Sequence, residues 1–495
     1  MSWPRLRSSR WCAEDAGARG RVVAGMAALL FLAVYVVFFP ATYAIEDERS
    51  ILSLSSALSH GTVFLDRAGI ESGADVISRG HTVSKYSPFH AALLVPALLS
   101  AWRLSFLVTA AFTLLGAWVV VRMLEREGLS SAWVLLYFLN PGLLYYSRTI
   151  MSMVPAAVMA LLGVSLLYRA RPHPAAGGLA LGTAVLFHIW LAPLAVVVAG
   201  CWWIERKRCA WRPAGDLVAG ALPAILLMGL YNFVTMGNPL VNSYWMIGHQ
   251  RVFNGAHWAA FGVYYGLALL SVPPGGWVAL TRRWAGSYGV PLAIATTVAL
   301  ATLYYFRDGL AFGIAGWVPG LRFLLPATLL AVVPSARWWN NLTERFARNA
   351  RLKALVAVGG VVVFGLAFAG LSAAHQNYLT AQRSAQAFIA EQIPDGARVV
   401  GVPGTFKLFA PVVGHWPVEL VYDTLSELPP GAQDAYLVWI GPTGEDPGPA
   451  WCRGRLVRTA IVSSWIWRRK VVVAGPMTPG RSARSDGPRA AFEET

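Results

Sequence analysis

Three acids stand together at Glu46-Asp47-Glu48, in a chain that has only 25 Asp and Glu among 495 residues. They follow Val22–Phe39, an apolar run long enough to cross a bilayer. A carboxylate at a membrane surface is well hydrated and gains nothing from burial. Its chemical uses there are proton acceptor, metal ligand or cation site. Asp47 is the central candidate, as a general base or ligand in an outer-face cavity. The competing reading makes it a solvated charge or the N-cap of a helix over Ser50–Leu58, because acids favour a helix start. Glu46 and Asp47 are the oxygens available to a divalent cation, although the chemistry does not demand a metal.

Three cations qualify as partners. Lys85 and Tyr86 lie in His81-Thr82-Val83-Ser84-Lys85-Tyr86-Ser87-Pro88. There the ammonium either snorkels to bilayer phosphate or holds the phosphate of a bound lipid. Arg148 follows Tyr145-Tyr146 in a short outer turn, where an arginine must be solvated, paired with an acid or bound to phosphate. Arg322 begins a helix end in Gly316-Trp317-Val318-Pro319-Gly320-Leu321-Arg322-Phe323-Leu324-Leu325-Pro326. Facing a cavity it would match phosphate bidentately, and facing lipid it would snorkel. His188, His249 and His257 are scattered, with no H-x-x-x-H pair among them, so they read as ordinary polar histidines. Asp308 is a further outer acid on a loop.

These residues must be positioned by membrane helices. The chain is 56% hydrophobic and 13% charged, too little charge to cover a soluble protein of this length. About ten apolar runs approach bilayer-spanning length, and backbone in lipid must be helical. The net charge of +16 reads as cytoplasmic loop lysines and arginines rather than a nucleic-acid surface. The four cysteines, Cys12, Cys201, Cys209 and Cys452, have no metal-ligand spacing and suggest no disulfide framework.

Basic clusters fix the topology. Arg5 to Arg21 keeps residues 1–21 in the cytoplasm, and the first span is read as an uncleaved anchor rather than a signal peptide. Arg122–Arg126, Arg169–Arg171, Glu205–Arg212, Arg282–Arg283 and Arg337–Lys353 are assigned the same side, so each intervening apolar segment must cross an even number of times. Ala176–Ile204 would be about 44 Å long as one helix, which predicts a tight hairpin turning near His188. Ser87–Ala101 is short and opens with Pro88, so it is read as an interfacial or re-entrant helix on the outer face. The expectation is an α-helical polytopic membrane protein of about eleven spans, N-terminus in and C-terminus out. Its transmembrane domain covers 22–374, with a first outer loop over 41–103. A small extracytoplasmic α/β domain follows at 375–475, with strands at Ala397–Val402, Ala435–Ile440 and Arg468–Val473 and a helix at Ala385–Gln392. The Gly-, Pro-, Ser- and Arg-rich tail over 476–495 reads as disordered. Abundant Arg, Ala and Gly with scarce Lys suggest a high-GC bacterium, hence its plasma membrane.

Taken in order, the motifs resemble the GT-C superfamily of membrane glycosyltransferases, near its protein O-mannosyltransferase and aminoarabinose-transferase branch. Asp47-Glu48 and Ser84-Lys85-Tyr86-Ser87-Pro88 are similar to that branch's acidic pair and Ser-Lys-Tyr-x-Pro segment. Asn140-Pro141 with Tyr146-Ser147-Arg148-Thr149 is similar to its next outer turn. Tyr231-Asn232-Phe233 with Gly237-Asn238-Pro239 matches a further motif, and Arg322-Phe323-Leu324-Leu325-Pro326 its Arg-Tyr-Leu-Leu-Pro. The resemblance spans roughly residues 20–375. Met153 stands where many relatives carry an acid, and Ser-Pro-Phe-His follows where they have Pro-Pro-Gly.

The resemblance implies a polyprenyl-phosphate sugar donor used at the outer leaflet, with inversion. It implies Asp47 as general base assisted by Glu48, and Lys85, Arg148 and Arg322 on the donor phosphate. Tyr86, Tyr146, His188 and Asn232 would line the substrate pocket. Two rival readings remain: a transporter or flippase of lipid-linked glycans, which would not need Asp47 as a base, and a non-catalytic partner in envelope assembly. The acceptor, whether protein, lipid or polysaccharide, is open.

Overall fold

The computed structural model describes residues 10–65, 75–206, 211–243, 258–303, 320–346 and 350–402. Beyond these it describes residues 405, 408–410, 412–420, 432–447, 452–453, 455–464 and 468–477. His249, His257, Asp308, Cys209, residues 316–319 and the tail from 478 lie outside the described residues.

Helix α1 (Arg10–Val37) carries the first apolar run. Helix α2 (Glu46–Ser59) starts on the acidic triplet, whose charge complements the positive end of the helix dipole. Glu48 reaches back to accept hydrogen bonds from the Ala44 and Ile45 backbone N–H groups at 2.7 and 3.3 Å. Glu48, rather than Asp47, therefore closes the helix start.

A β-hairpin follows, absent from the sequence reading. Strands β1 (Asp75–Ser78) and β2 (His81–Ser84) pair antiparallel, with Asp75 opposite Ser84 and Ser78 opposite His81. Arg79 and Gly80 form its two-residue turn with φ of 53° and 80°, the left-handed pair that suits a hairpin. Helix α3 (Pro88–Ala101) begins with Ser87 as cap and Pro88 at its first position. Extended backbone at Ala101 and a short 3-10 turn separate it from α4 (Ser105–Arg126). At 14 residues α3 is too short to span alone, although Pro88–Arg126 together form a 39-residue apolar stretch.

Helices α5 (Leu135–Phe138) and α6 (Pro141–Tyr146) lead into α7 (Met153–Leu167), which is buried along most of its length. Helix α8 (Pro174–Phe187) packs on α7 and on α10 (Trp211–Met236), using glycines for close approach. Between α8 and α9 (Ala192–Glu205) the chain breaks at His188. The far end of α9 then returns to the end of α7: Trp202 Nε1 donates to the Leu167 carbonyl at 2.9 Å, and Arg206 to that of Arg169 at 3.0 Å. The expected hairpin is therefore present. Helices α11 (Trp258–Ser271), α12 (Arg282–Ala285), α13 (Gly289–Leu303) and α14 (Leu325–Phe346) complete the bundle.

Four described helical segments are long and apolar enough to cross a membrane: Ala18–Val37, Pro88–Arg126, Trp211–Met236 and Val358–Gln392. The basic clusters meet at one end. Arg21 pairs with Glu125, and Arg126 donates to the Ser165 carbonyl beside the α7–α8 turn. Glu205 accepts from the Tyr288 N–H, while Arg337 reaches the Trp284 carbonyl and pairs with Glu127.

Helix α15 (Ala350–Gln392) is continuous for 43 residues. The expected boundary at 374/375 falls inside it, and Ala385–Gln392 is its final part rather than a separate helix. Ala385 and Ile389 pack into the core of a five-stranded sheet. Its strands are β3 (Val399–Gly401), β4 (Val418–Leu420), β5 (Tyr436–Pro442), β6 (Arg455–Ser463) and β7 (Arg468–Met477), in the order β4-β3-β5-β7-β6. The three expected strands appear as β3, β5 and β7. β3 pairs parallel with β4 and β5, and β7 pairs antiparallel with β5 and β6. Hydrogen bonds fasten the outer part of α15 to the segment before α2: Thr42 donates to Gln386 at 2.8 Å, Gln382 to the Tyr43 carbonyl at 2.8 Å, and Tyr378 to the Ala44 carbonyl at 3.2 Å.

Candidate active site

At the end of the bundle away from the basic clusters, three distant segments meet on one carboxylate. Asp47 sits in the first turn of α2, Lys85 follows β2, and Arg322 lies in the 3-10 turn Leu321–Leu324 that enters α14. Lys85 Nζ is 2.8 Å from Asp47 Oδ1, and Arg322 Nη1 is 2.9 Å from Oδ2. All three side chains are only 12–13% exposed. The Tyr86 hydroxyl donates to Asp47, and Arg322 donates to the Tyr146 hydroxyl. Burial alone would raise the Asp47 pKa. The nearby ammonium and guanidinium reverse this and hold the carboxyl well below its usual range.

The Lys85 turn borders a narrow cleft lined by Tyr86, Ser87, Phe187, His188, Met228 and Asn242, among others. His188 accepts from the Trp190 N–H through Nδ1 at 3.3 Å, which leaves its proton on Nε2. Burial, then the neighbouring Arg322 and Lys85, push its pKa down to about 3, so the ring is a neutral hydrogen-bond donor. The two cations beside this cleft, and the polar Tyr86, Ser87, His188 and Asn242 in its lining, would suit an anionic group.

Two solved structures are similar to this chain. One is the oligosaccharyltransferase of Archaeoglobus fulgidus, with a TM-score of 0.46, 13% identity, and coverage of 85% of this chain and 69% of that one. The other is the arabinofuranosyltransferase AftD from mycobacteria, with a TM-score of 0.46, 15% identity, and coverage of 93% of this chain and 42% of that one. No protein-family model matches the sequence, and no curated protein matches it.

Of the residues singled out from sequence, Asp47, Lys85, Arg322, Tyr86, Tyr146 and His188 gather here. Glu48 does not face the cations. One oxygen accepts from Ala44 and Ile45, and the other accepts from the Ile150 N–H at 2.9 Å, so it braces two backbone segments. Arg148 also turns elsewhere. Its guanidinium donates to the Phe38 carbonyl just past α1 and to Gln376 at 3.1 Å. There its positive charge meets the negative end of the α1 dipole. Asn232 is buried one layer back, donating to the Pro239 carbonyl at 3.1 Å and accepting from Asn242 at 3.2 Å. Its neighbour Tyr231 donates to the Ser84 and Tyr86 carbonyls at 3.4 Å, so this motif supports the Lys85 turn.

Glu46 and Asp47 are the acids assigned to a divalent cation. Each Asp47 oxygen is already engaged by a fixed positive charge. Among the described residues no three His, Cys, Asp or Glu side chains come together.

Sequence reading missed the support beneath Lys85. Arg49 and Asp75 form an ion pair with side chains 0% and 1% exposed. Ser50 donates to Asp75 at 2.5 Å and meets the Ser84 hydroxyl at 2.6 Å, and Ser84 Oγ accepts from the Tyr86 N–H at 3.1 Å. The one available signal was Arg49 itself, since a buried arginine requires an acid.

Proposed function

We propose that this chain is a membrane glycosyltransferase that moves a sugar from a polyprenyl-phosphate donor to an acceptor hydroxyl on the extracytoplasmic face. The observation that carries this reading is the Asp47 carboxylate gripped through separate oxygens by Lys85 and Arg322, beside a cleft lined by Tyr86 and His188. The ordered motif resemblance supports the same reading.

The reaction is a single displacement. The acceptor oxygen forms a bond to the anomeric carbon as the bond from that carbon to the phosphate oxygen breaks. The electron pair leaves with the phosphate, and the acceptor proton passes to Asp47. One displacement inverts the anomeric centre. Lys85 and Arg322 neutralise the departing phosphate in a site partly shielded from water, where such contacts are strong. Fixed cations supply that charge without a metal. Arg148 is not assigned to the donor, because its guanidinium is committed to the end of α1. Glu48 is a brace rather than an assisting base.

In this reading the basic end faces the cytoplasm of a bacterium and the sheet lies outside. About eleven helical passes, several of them short, cross the plasma membrane.

The test is turnover of a radiolabelled polyprenyl-phosphate sugar by membranes containing the full chain. Asp47→Asn should reduce transfer by about 100-fold or more, the scale of losing a positioned base. Translocation of the intact lipid-linked sugar with no transfer to an acceptor, unchanged in Asp47→Asn, would favour a flippase instead. Envelope glycans of a deletion strain, read by mass spectrometry, would identify the missing sugar and acceptor.

A further inference from the structure

We propose that Asp47 occupies, in the resting protein, the place the donor phosphate takes on Lys85 and Arg322, so that donor binding itself releases the base. This rests on the functional reading above and concerns the order in which the same site works.

The geometry sets the conflict. Lys85 takes Oδ1, Arg322 takes Oδ2, and Tyr86 adds a third hydrogen bond. Charge-assisted bonds of this kind are short and strong, and low exposure strengthens them further. A carboxylate so engaged is a very weak proton acceptor. Yet the two cations that disable it are the same two required for the phosphate. Neither task can be done while the ions remain paired with each other.

A phosphate resolves the conflict because it offers what the carboxylate offers: two oxygens, at a spacing that suits an ammonium and a guanidinium. The Asp47, Lys85 and Arg322 charges sum to one net positive, so the site attracts an anion before it is filled. When a phosphodiester monoanion arrives the sum becomes zero. The cations are then shared between two anions, and Asp47 gains a negative neighbour. Both changes raise its affinity for a proton.

Tyr146, His188 and Glu48, close by, do not take over the place of Asp47. The Tyr146 hydroxyl is bonded to Arg322, His188 is a neutral ring, and Glu48 has both oxygens on backbone N–H groups. The consequence is an ordered site: an empty cleft does not deprotonate water, and the acceptor hydroxyl is activated only beside a bound donor.

The experiment is a binding titration of the purified full-length protein in detergent with farnesyl phosphate. Farnesol and inorganic phosphate are the separate arms for lipid tail and free phosphate. The wild type should bind farnesyl phosphate, and Lys85→Met or Arg322→Met should weaken it. Asp47→Asn, although inactive in transfer, should bind about tenfold tighter than the wild type, because it removes the competing carboxylate. Asp47→Ser provides the same measurement should the asparagine variant fold poorly. A gain confined to farnesyl phosphate identifies a lipid headgroup, and a gain shared with inorganic phosphate identifies the phosphate alone. Unchanged or weaker binding by the Asp47 variants, with Lys85 and Arg322 still required, overturns the inference and leaves the functional reading intact. A tighter grip on farnesol overturns it as well. Binding indifferent to Lys85 and Arg322 overturns the functional reading, and this inference with it.

Discussion

The hydroxyls of Ser50 and Ser84 meet at 2.6 Å, joining the helix that carries Asp47 to the hairpin that carries Lys85. Both serines are fully buried. The distance between the Asp47 carboxylate and the Lys85 ammonium is therefore set by a polar link beneath them, not by the ion pair alone.

Ser84→Ala removes that link and takes away the acceptor for the Tyr86 N–H. A buried donor left unpaired costs about 1–3 kcal/mol, so the variant should still fold. With the turn loosened, farnesyl phosphate should bind about tenfold more weakly by titration. Wild-type affinity in a folded Ser84→Ala protein would mean that the link does not position Lys85.

Asp75→Asn removes the buried carboxylate that pairs with the Arg49 guanidinium. Removing one member of a buried pair costs about 3–5 kcal/mol, which should appear as a large drop in unfolding temperature in detergent. Replacing both partners together, Arg49→Met with Asp75→Leu, should recover most of the loss, because no lone charge remains. Unfolding of Asp75→Asn at the wild-type temperature would contradict the pairing.

Glu48 makes stability depend on pH. Burial pushes its carboxyl from the ordinary 4.5 up to about 7, against the pull of the Ile150, Ala44 and Ile45 N–H groups. The folded chain thus binds this proton more tightly than the unfolded one. The associated stability, on the order of 3 kcal/mol, is whole below the unfolded value and is lost as pH rises through the folded one. The Asp47 shift has the opposite sign, but its stability is lost only in far stronger acid. Unfolding temperature should therefore fall as pH is raised from about 5 to about 8, and Glu48→Gln should flatten that slope. A flat wild-type profile would rule this out.

Gly220 tests the packing of α8 on α10. A methyl group there would press into the Ala175 backbone carbonyl. Gly220→Ala should destabilise by about 1–3 kcal/mol. Gly200, in α9, has nothing within 4 Å of the same position. Gly200→Ala should be neutral or stabilising by up to about 1 kcal/mol, since alanine favours helix. Equal effects at the two sites would mean that α8 and α10 do not pack as described.

Much of the site was legible because charge is scarce in an apolar chain. Asp47, Lys85 and Arg322 each stand out against lipid-compatible sequence, and each has a stated reason to seek an opposite charge. The hairpin at His188 was legible from length alone. The β1–β2 hairpin was not, because Arg79-Gly80 is a weaker turn signal than Asn-Gly and each strand has only four residues. Glu48 and Arg148 were misread for a common reason. Sequence shows that a charge is present, but not whether its partner is a side chain or a backbone group at a helix end. The expected boundary at 374/375 lies within α15, where composition changes while helical periodicity continues.

That unbroken α15 has a mechanical consequence. Forty-three residues at 1.5 Å each make a rod of about 64 Å, with no proline to act as a pivot. The strands at its far tip cannot swing like a tethered flap. Any load on them is transmitted down the rod to Gln382 and Gln386, and through these to the Thr42–Tyr43 backbone a few residues before Asp47. A molecule that grips the distal sheet would thus pull, at one remove, on the stretch of chain that aims the carboxylate.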